Sequence, residues 1–240
     1  MKTAFLASAS VAALMVATGA QAADLSHPSV YKAPPAPMPA WSWTGFYVGG
    51  TLGAVAGHDG VSNDPASLTT YLDNPINISS TGLIGGLEAG YNWQISQVVL
   101  GIEGDVSWSS LNQSGTASTL ISKTGTFSSR LDELSTIRGR LGWAFDRALL
   151  YGTGGVAFAD LKDQFADPDF PLTATPGSSL TGWTAGGGIE YALTDHWTAK
   201  AEYLHVGFRQ RTAMDTGGIG YIFDYKDSLD IGRVGINYKF

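Results

Sequence analysis

The chain predicts an all-β fold, an eight-stranded antiparallel up-and-down barrel that crosses a membrane, and three observations carry that prediction. Segments of about ten residues alternate an apolar face with a polar one. The connections between them alternate between tight turns and long polar stretches. After the N-terminal leader no segment reaches the roughly 20 apolar residues of a membrane helix, so a membrane-spanning chain of this kind must close as a barrel.

The leader comes first. Lys2 supplies a positive end, Ala4 to Ala20 an apolar run, and Ala20-Gln21-Ala22 a small-x-small cleavage site. Residues 1–22 are therefore expected to be a signal peptide, with Ala23 or Asp24 opening the mature chain. Residues 23–41 hold Pro28, Pro34, Pro35, Pro37 and Pro39 and little that packs, which predicts an extended periplasmic leader. Residues 42–240 are the expected barrel.

Composition narrows the possibilities. Cysteine is absent, which excludes a disulfide framework, a thiolate metal site and an acylated lipoprotein cysteine. The formal net charge is −7, and loss of Lys2 with the leader makes it −8, so nucleic acid is not an expected partner. Thirty-one glycines and 11% aromatic residues suit many short strands.

The strands follow in order. Trp43 to Gly50, continuing through Leu52 and Ala54, places Phe46, Val48, Leu52 and Ala54 on one side. Thr81 to Trp93 sets Leu83, Leu87, Ala89, Tyr91 and Trp93 against Glu88 and Asn92. Val98 to Ser109 sets Leu100, Ile102, Val106 and Trp108 against Glu103, Asp105 and Ser107. Leu134 to Phe145 and Ala148 to Phe158 form a hairpin about Asp146 and Arg147. Its first strand separates Ile137, Leu141, Trp143 and Phe145 from Arg138 and Arg140. Trp183 to Ala192 opposes Ile189 and Tyr191 to Glu190. His196 to Phe208 opposes Trp197, Ala199, Ala201 and Tyr203 to Thr198, Lys200 and Glu202. The last strand ends the chain with Val234, Ile236, Tyr238 and Phe240 against Arg233, Asn237 and Lys239.

Tight turns are expected near Ser96, Asp146 and Thr194 to Asp195, and long loops over 57–80, 111–130, 161–180 and 209–227. Short turns on one rim and long loops on the other match the periplasmic and extracellular ends of an outer-membrane barrel. Aromatic residues gather near the short-turn ends at Trp93, Trp143, Phe145, Tyr191, Trp197 and Tyr238, as an interfacial girdle would.

The polar faces carry Glu88, Glu103, Asp105, Glu190 and Glu202 against Arg138, Arg140, Lys200 and Arg233. In an eight-stranded barrel the lumen is just wide enough for side chains, and near-balanced opposite charges there are expected to pair. Arg138 and Arg140 point the same way and cannot lose their protons, so they need anionic partners. Glu103 and Asp105 on the neighbouring strand are the expected ones.

The stretches WTGFYVGG (43–50), GYNWQ (90–94), LGIEGDVSW (100–108), TIRGRLGWAFDRALLYGTGGVA (136–157), GWTAGGGIEYALTDHWTAKAEYLHV (182–206) and RVGINYKF (233–240) together resemble the small porin-like outer-membrane antigen family of Gram-negative bacteria. They cover nearly all strands. The resemblance implies an eight-stranded outer-membrane barrel with surface-exposed loops. It also implies that the terminal aromatics, Tyr238 and Phe240, serve as a signal to the outer-membrane assembly machinery. Some members are described as porins, some as immunogenic surface proteins and a few as hemin binders. The loops here match no such stretch, so those roles are not carried over.

Other candidate chemistry is thin. His27, His58, His196 and His205 lack metal-ligand spacing. His205 and Glu202 come nearest to an acid/base pair but fall on opposite faces of their strand. The glycines at 152, 154, 155 and 186–188 lie within strands and open no helix, so they form no phosphate loop. They are expected to relieve crowding in a narrow barrel. Asp59, Asp64, Asp73, Asp163, Asp167 and Asp169, with Lys162, are expected to be solvated loop residues. Tyr71 and His58 are the residue types that contact heme.

The expected protein is a monomeric, structural, surface-exposed, porin-like envelope protein of the bacterial outer membrane, with extracellular loops. Its expected partners are outer-membrane lipid, lipopolysaccharide and the assembly machinery. Neither catalysis, a cofactor nor a metal is expected. A narrow channel for small solutes or ions and a loop-based binding module for heme or a host surface are the alternatives.

Overall fold

The computed structural model describes residues 41–63, 76–117, 125–167, 172–174, 179–214 and 222–240. The expected signal peptide and all of the leader except Trp41 lie outside the described residues. Among the described residues there are eleven strand segments: β1 (Gly45–Asn63), β2 (Ile76–Ile95), β3 (Val98–Ser109), β4 (Asn112–Ala117), β5 (Gly125–Phe145), β6 (Ala148–Asp167), β7 (Leu172–Ala174), β8 (Ser179–Ala192), β9 (Trp197–Phe208), β10 (Arg211–Met214) and β11 (Ile222–Lys239). They make eight staves. β4 continues β3 along β5, β7 leads into β8 along β6, and β10 continues β9 along β11. Every pairing is antiparallel, and β11 pairs with β1 from Tyr47↔Lys239 to Asn63↔Phe223, which closes the sheet. Closure leaves no long edge of unpaired backbone groups for lipid to meet.

Several strands run beyond the ends expected from the pattern. β1 reaches Asn63, β5 starts at Gly125, β6 runs to Asp167 and β11 starts at Ile222. The long connections are correspondingly shorter than expected. Asp59, expected in a loop, is a strand residue with only 4% of its surface exposed. Asp163, Asp167 and Lys162 lie within β6, whereas Asp64, Asp73, Asp169 and Tyr71 fall outside the described residues.

Two of the tight turns hold a non-glycine residue at positive φ, Ser96 at 58° and Asp146 at 54°. Two-residue hairpin loops require that backbone half so that the turn follows the twist of its strands.

The outward face is apolar. Leu52, Leu83, Leu87, Leu141, Ile189 and Val234 are between 59% and 66% exposed, the reverse of a water-soluble core. Trp93, Trp143, Phe145, Tyr191 and Trp197 are exposed near the short turns, with Phe46 and Phe240 beside them. Tyr238 is half-buried, its ring 5.1 Å from Phe240 and 5.2 Å from Trp197. A second set, Trp108, Phe158, Trp183 and Tyr203, lies toward the long-loop end. An apolar wall between two aromatic girdles is what a lipid bilayer selects.

Candidate functional site: a charged layer inside the barrel

The inward face is built in layers. At the short-turn end Trp43, Val99, Ala144, Leu149 and Ala192 form an apolar cluster, with Trp41 packed against it. Trp43 is 1% exposed. Its indole N–H donates to the carbonyl of Asp146 at 3.2 Å, and its backbone N–H to Gln94 Oε1 at 2.7 Å, so it ties the β2 and β5 ends together. The charged layer follows. Beyond it Val55, Ile84, Leu111, Leu131, Leu134, Ala157, Leu180, Leu204, Val206, Leu229 and Ile231 form a second apolar cluster.

All nine charged residues singled out from the sequence lie in the middle layer: Glu88, Glu103, Asp105, Arg138, Arg140, Glu190, Lys200, Glu202 and Arg233 are each 5% exposed or less. Strand alternation puts them there, because each sits in register with outward-pointing apolar neighbours. They divide into two groups. In the larger, Arg138 contacts Glu103, Asp105 at 3.0 Å and Glu202 at 3.1 Å. Arg233 lies 2.7 Å from Glu202 and 3.3 Å from Asp105. Lys200 lies 2.6 Å from Glu88 and 3.3 Å from Glu103. In the smaller group Arg140 pairs with Glu190 and stacks on the Tyr151 ring at 3.7 Å. Glu190 also accepts from Thr198 at 2.5 Å and Asn237 at 3.1 Å.

The expected partners are thus half right. Arg138 does meet Glu103 and Asp105 on the adjacent strand. Arg140 instead reaches past β6 to Glu190 on β8, because a long side chain in a narrow lumen crosses it as easily as it meets its neighbour.

Two tyrosines complete the layer and were not singled out from the sequence. Tyr47 donates to Glu103 at 2.7 Å and Tyr151 to Glu202 at 3.0 Å. Alternation alone would have found them, since each shares the inward parity of its strand. Inward glycines make room for both. A Cβ on Gly188 would lie 2.8 Å from the Tyr151 hydroxyl, and one on Gly90 would meet the Tyr47 hydroxyl.

The outer wall carries a separate polar cluster. Glu202 points inward while His205 points outward, as their spacing requires. His205 Nδ1 lies 2.8 Å from Asp230, His58 Nε2 lies 3.3 Å from it, and Tyr203 donates to it at 2.6 Å. His58 Nδ1 is 3.1 Å from Ser79 Oγ. These groups satisfy one another near Trp183 and Tyr203, at the edge of the apolar wall. Among the described residues no group of three or more His, Asp or Glu is arranged to hold a metal ion.

Comparison with known proteins follows the same lines. A family model described as "Outer membrane protein beta-barrel domain" matches residues 9–240. The chain is 38% identical over 251 aligned residues, spanning both chains in full, to a 31 kDa outer-membrane immunogenic protein of Brucella melitensis. It is 30% identical to a 22 kDa outer membrane protein of Rhizobium leguminosarum, over 84% of this chain and 80% of that one. Among solved structures, the outer membrane protein OprG of Pseudomonas aeruginosa aligns with a TM-score of 0.54 over 83% of this chain and 98% of that one, at 12% identity. That last likeness concerns the fold alone.

Proposed function

The chain belongs to the outer membrane protein β-barrel family, and from that premise we propose that it is a structural, surface-exposed protein of the bacterial outer membrane. One observation carries this reading: the charged layer, its ions paired across the lumen, lies between two clusters of buried apolar side chains. An open pore needs a continuous wet path, and an eight-stranded barrel is only just wide enough for side chains to occupy its interior. The interior network therefore serves to fix the staves against one another, and the barrel acts as a rigid envelope element.

The long connections face the cell exterior in this reading, and the naming of its relatives as immunogenic proteins supports surface exposure. The apolar wall contacts outer-membrane lipid, with lipopolysaccharide at the girdle of Trp108, Trp183 and Tyr203. Tyr238 and Phe240 present the terminal aromatics to the assembly machinery. Removal of the gene tests the proposal. Cells without it should become sensitive to detergent, and a plasmid copy should restore resistance. An envelope of unchanged resistance, with no loop labelled by a membrane-impermeant reagent on intact cells, would overturn the reading.

A further inference from the structure

The charges of the middle layer do not balance. The smaller group, Arg140 with Glu190, is neutral, but the larger holds four carboxyls, Glu88, Glu103, Asp105 and Glu202, against three cations, Arg138, Lys200 and Arg233. A net charge enclosed between apolar layers costs far more than one in water. We infer that the lumen holds a proton on Glu88, so that the charged layer is electrically neutral.

Two observations single out Glu88. Register sets it directly opposite Asp105 across β2 and β3, with both facing inward. Like charges directly opposite one another on neighbouring strands repel, which disfavours ionising both. Glu88 is also the least supported of the four. Its side chain is wholly buried, Oε2 lies 2.6 Å from Lys200 with Arg233 no nearer than 3.8 Å, and Oε1 has no hydrogen-bond partner among the described residues. The other three carboxyls each accept a hydroxyl hydrogen bond besides their cations: Glu103 from Tyr47, Asp105 from Thr136 and Glu202 from Tyr151. The charged groups about Glu88 are thus Glu103 and Asp105 on β3, Lys200 on β9 and Arg233 on β11. The proton keeps the layer neutral.

Above the ordinary glutamate range the unfolded chain has lost this proton while the folded barrel retains it. Raising the pH therefore favours unfolding, by about tenfold in the unfolding constant per pH unit for one proton.

The test uses the full-length mature protein in lipid vesicles, carrying carboxyl-labelled glutamate. At neutral pH the infrared spectrum should contain the carbonyl band of one protonated glutamic acid, and Glu88→Gln should remove it. In urea, the unfolding constant of the wild type should rise relative to that of Glu88→Gln by about tenfold per pH unit between about pH 6 and pH 8. Absence of the band from the wild type overturns the inference, with or without a folded variant. So does persistence of the band in Glu88→Gln. Stability that depends on whether the buffer holds sodium or potassium would also overturn it, by assigning the compensating charge to a bound cation.

Discussion

Arg140→Met should destabilise the barrel far more than replacing Arg140 and Glu190 together by methionine. The pair is buried, with side chains 1% and 4% exposed, and losing one member leaves the other charge stranded, at about 3–5 kcal/mol. The structure sets a ceiling on the first loss. Glu190 keeps its bonds from Thr198 and Asn237, and it has a way out by taking up a proton. Neutralising an ordinary glutamate at pH 7 costs roughly 3.7 kcal/mol, a figure that falls by about 1.36 kcal/mol for each pH unit of acidification. Arg140→Met should therefore lose about 3 kcal/mol at neutral pH and recover as the pH is lowered toward 5. Glu190→Met should not recover, because the stranded guanidinium cannot give up its proton. The double variant should lie within about 1 kcal/mol of the wild type, since an apolar pair of similar volume replaces a desolvated ion pair. Equilibrium unfolding in urea, followed by tryptophan fluorescence in vesicles, measures all four proteins. Additive single losses, or identical pH profiles for the two single variants, would refute the pairing. Arg140→Met combined with Asp105→Leu provides the contrast: those side chains make no direct pair, and their losses should add.

Three further outcomes follow from the layers and turns. Trp43→Ala removes a fully buried indole from the short-turn end and should cost about 3–5 kcal/mol in the same urea assay; a loss below 1 kcal/mol would mean that the end cluster does not stabilise the barrel. Gly188→Ala forces Tyr151 and the Ala201 carbonyl aside and should cost about 1–3 kcal/mol, whereas wild-type stability would mean that the glycine makes no room for the tyrosine. Deleting Phe240 should lower the amount assembled in cells while detergent refolding proceeds, and equal assembly at every expression level would remove its role as a signal.

The parity of each strand was legible in the sequence, because between the girdles one face meets lipid and the other meets a polar layer. That contrast is why Glu103, Arg138 and Glu202 could be placed inside from spacing alone. Strand length was not legible. Around His58, Asp59 and Gly60 the segment has no apolar face, so the period-two signal fades while the ladder with β11 continues to Asn63. The partner of Arg140 was hidden for a different reason. Sequence adjacency orders the staves, but Glu190 lies two staves away, and only the width of the lumen makes it reachable. The second apolar layer was hidden because Leu229 and Ile231 precede the segment where the last strand's alternation was recognised. They share the inward parity of Arg233, and nothing in a period of two distinguishes a charged layer from an apolar one above it.

The sealed interior is the central claim, and single-channel recording of the refolded protein in a planar bilayer tests it most directly. A paired charged layer between two buried apolar clusters predicts a silent membrane across the voltage range the bilayer tolerates. Steady, discrete openings that recur with each insertion would contradict the account and make the charged layer the lining of a conducting path.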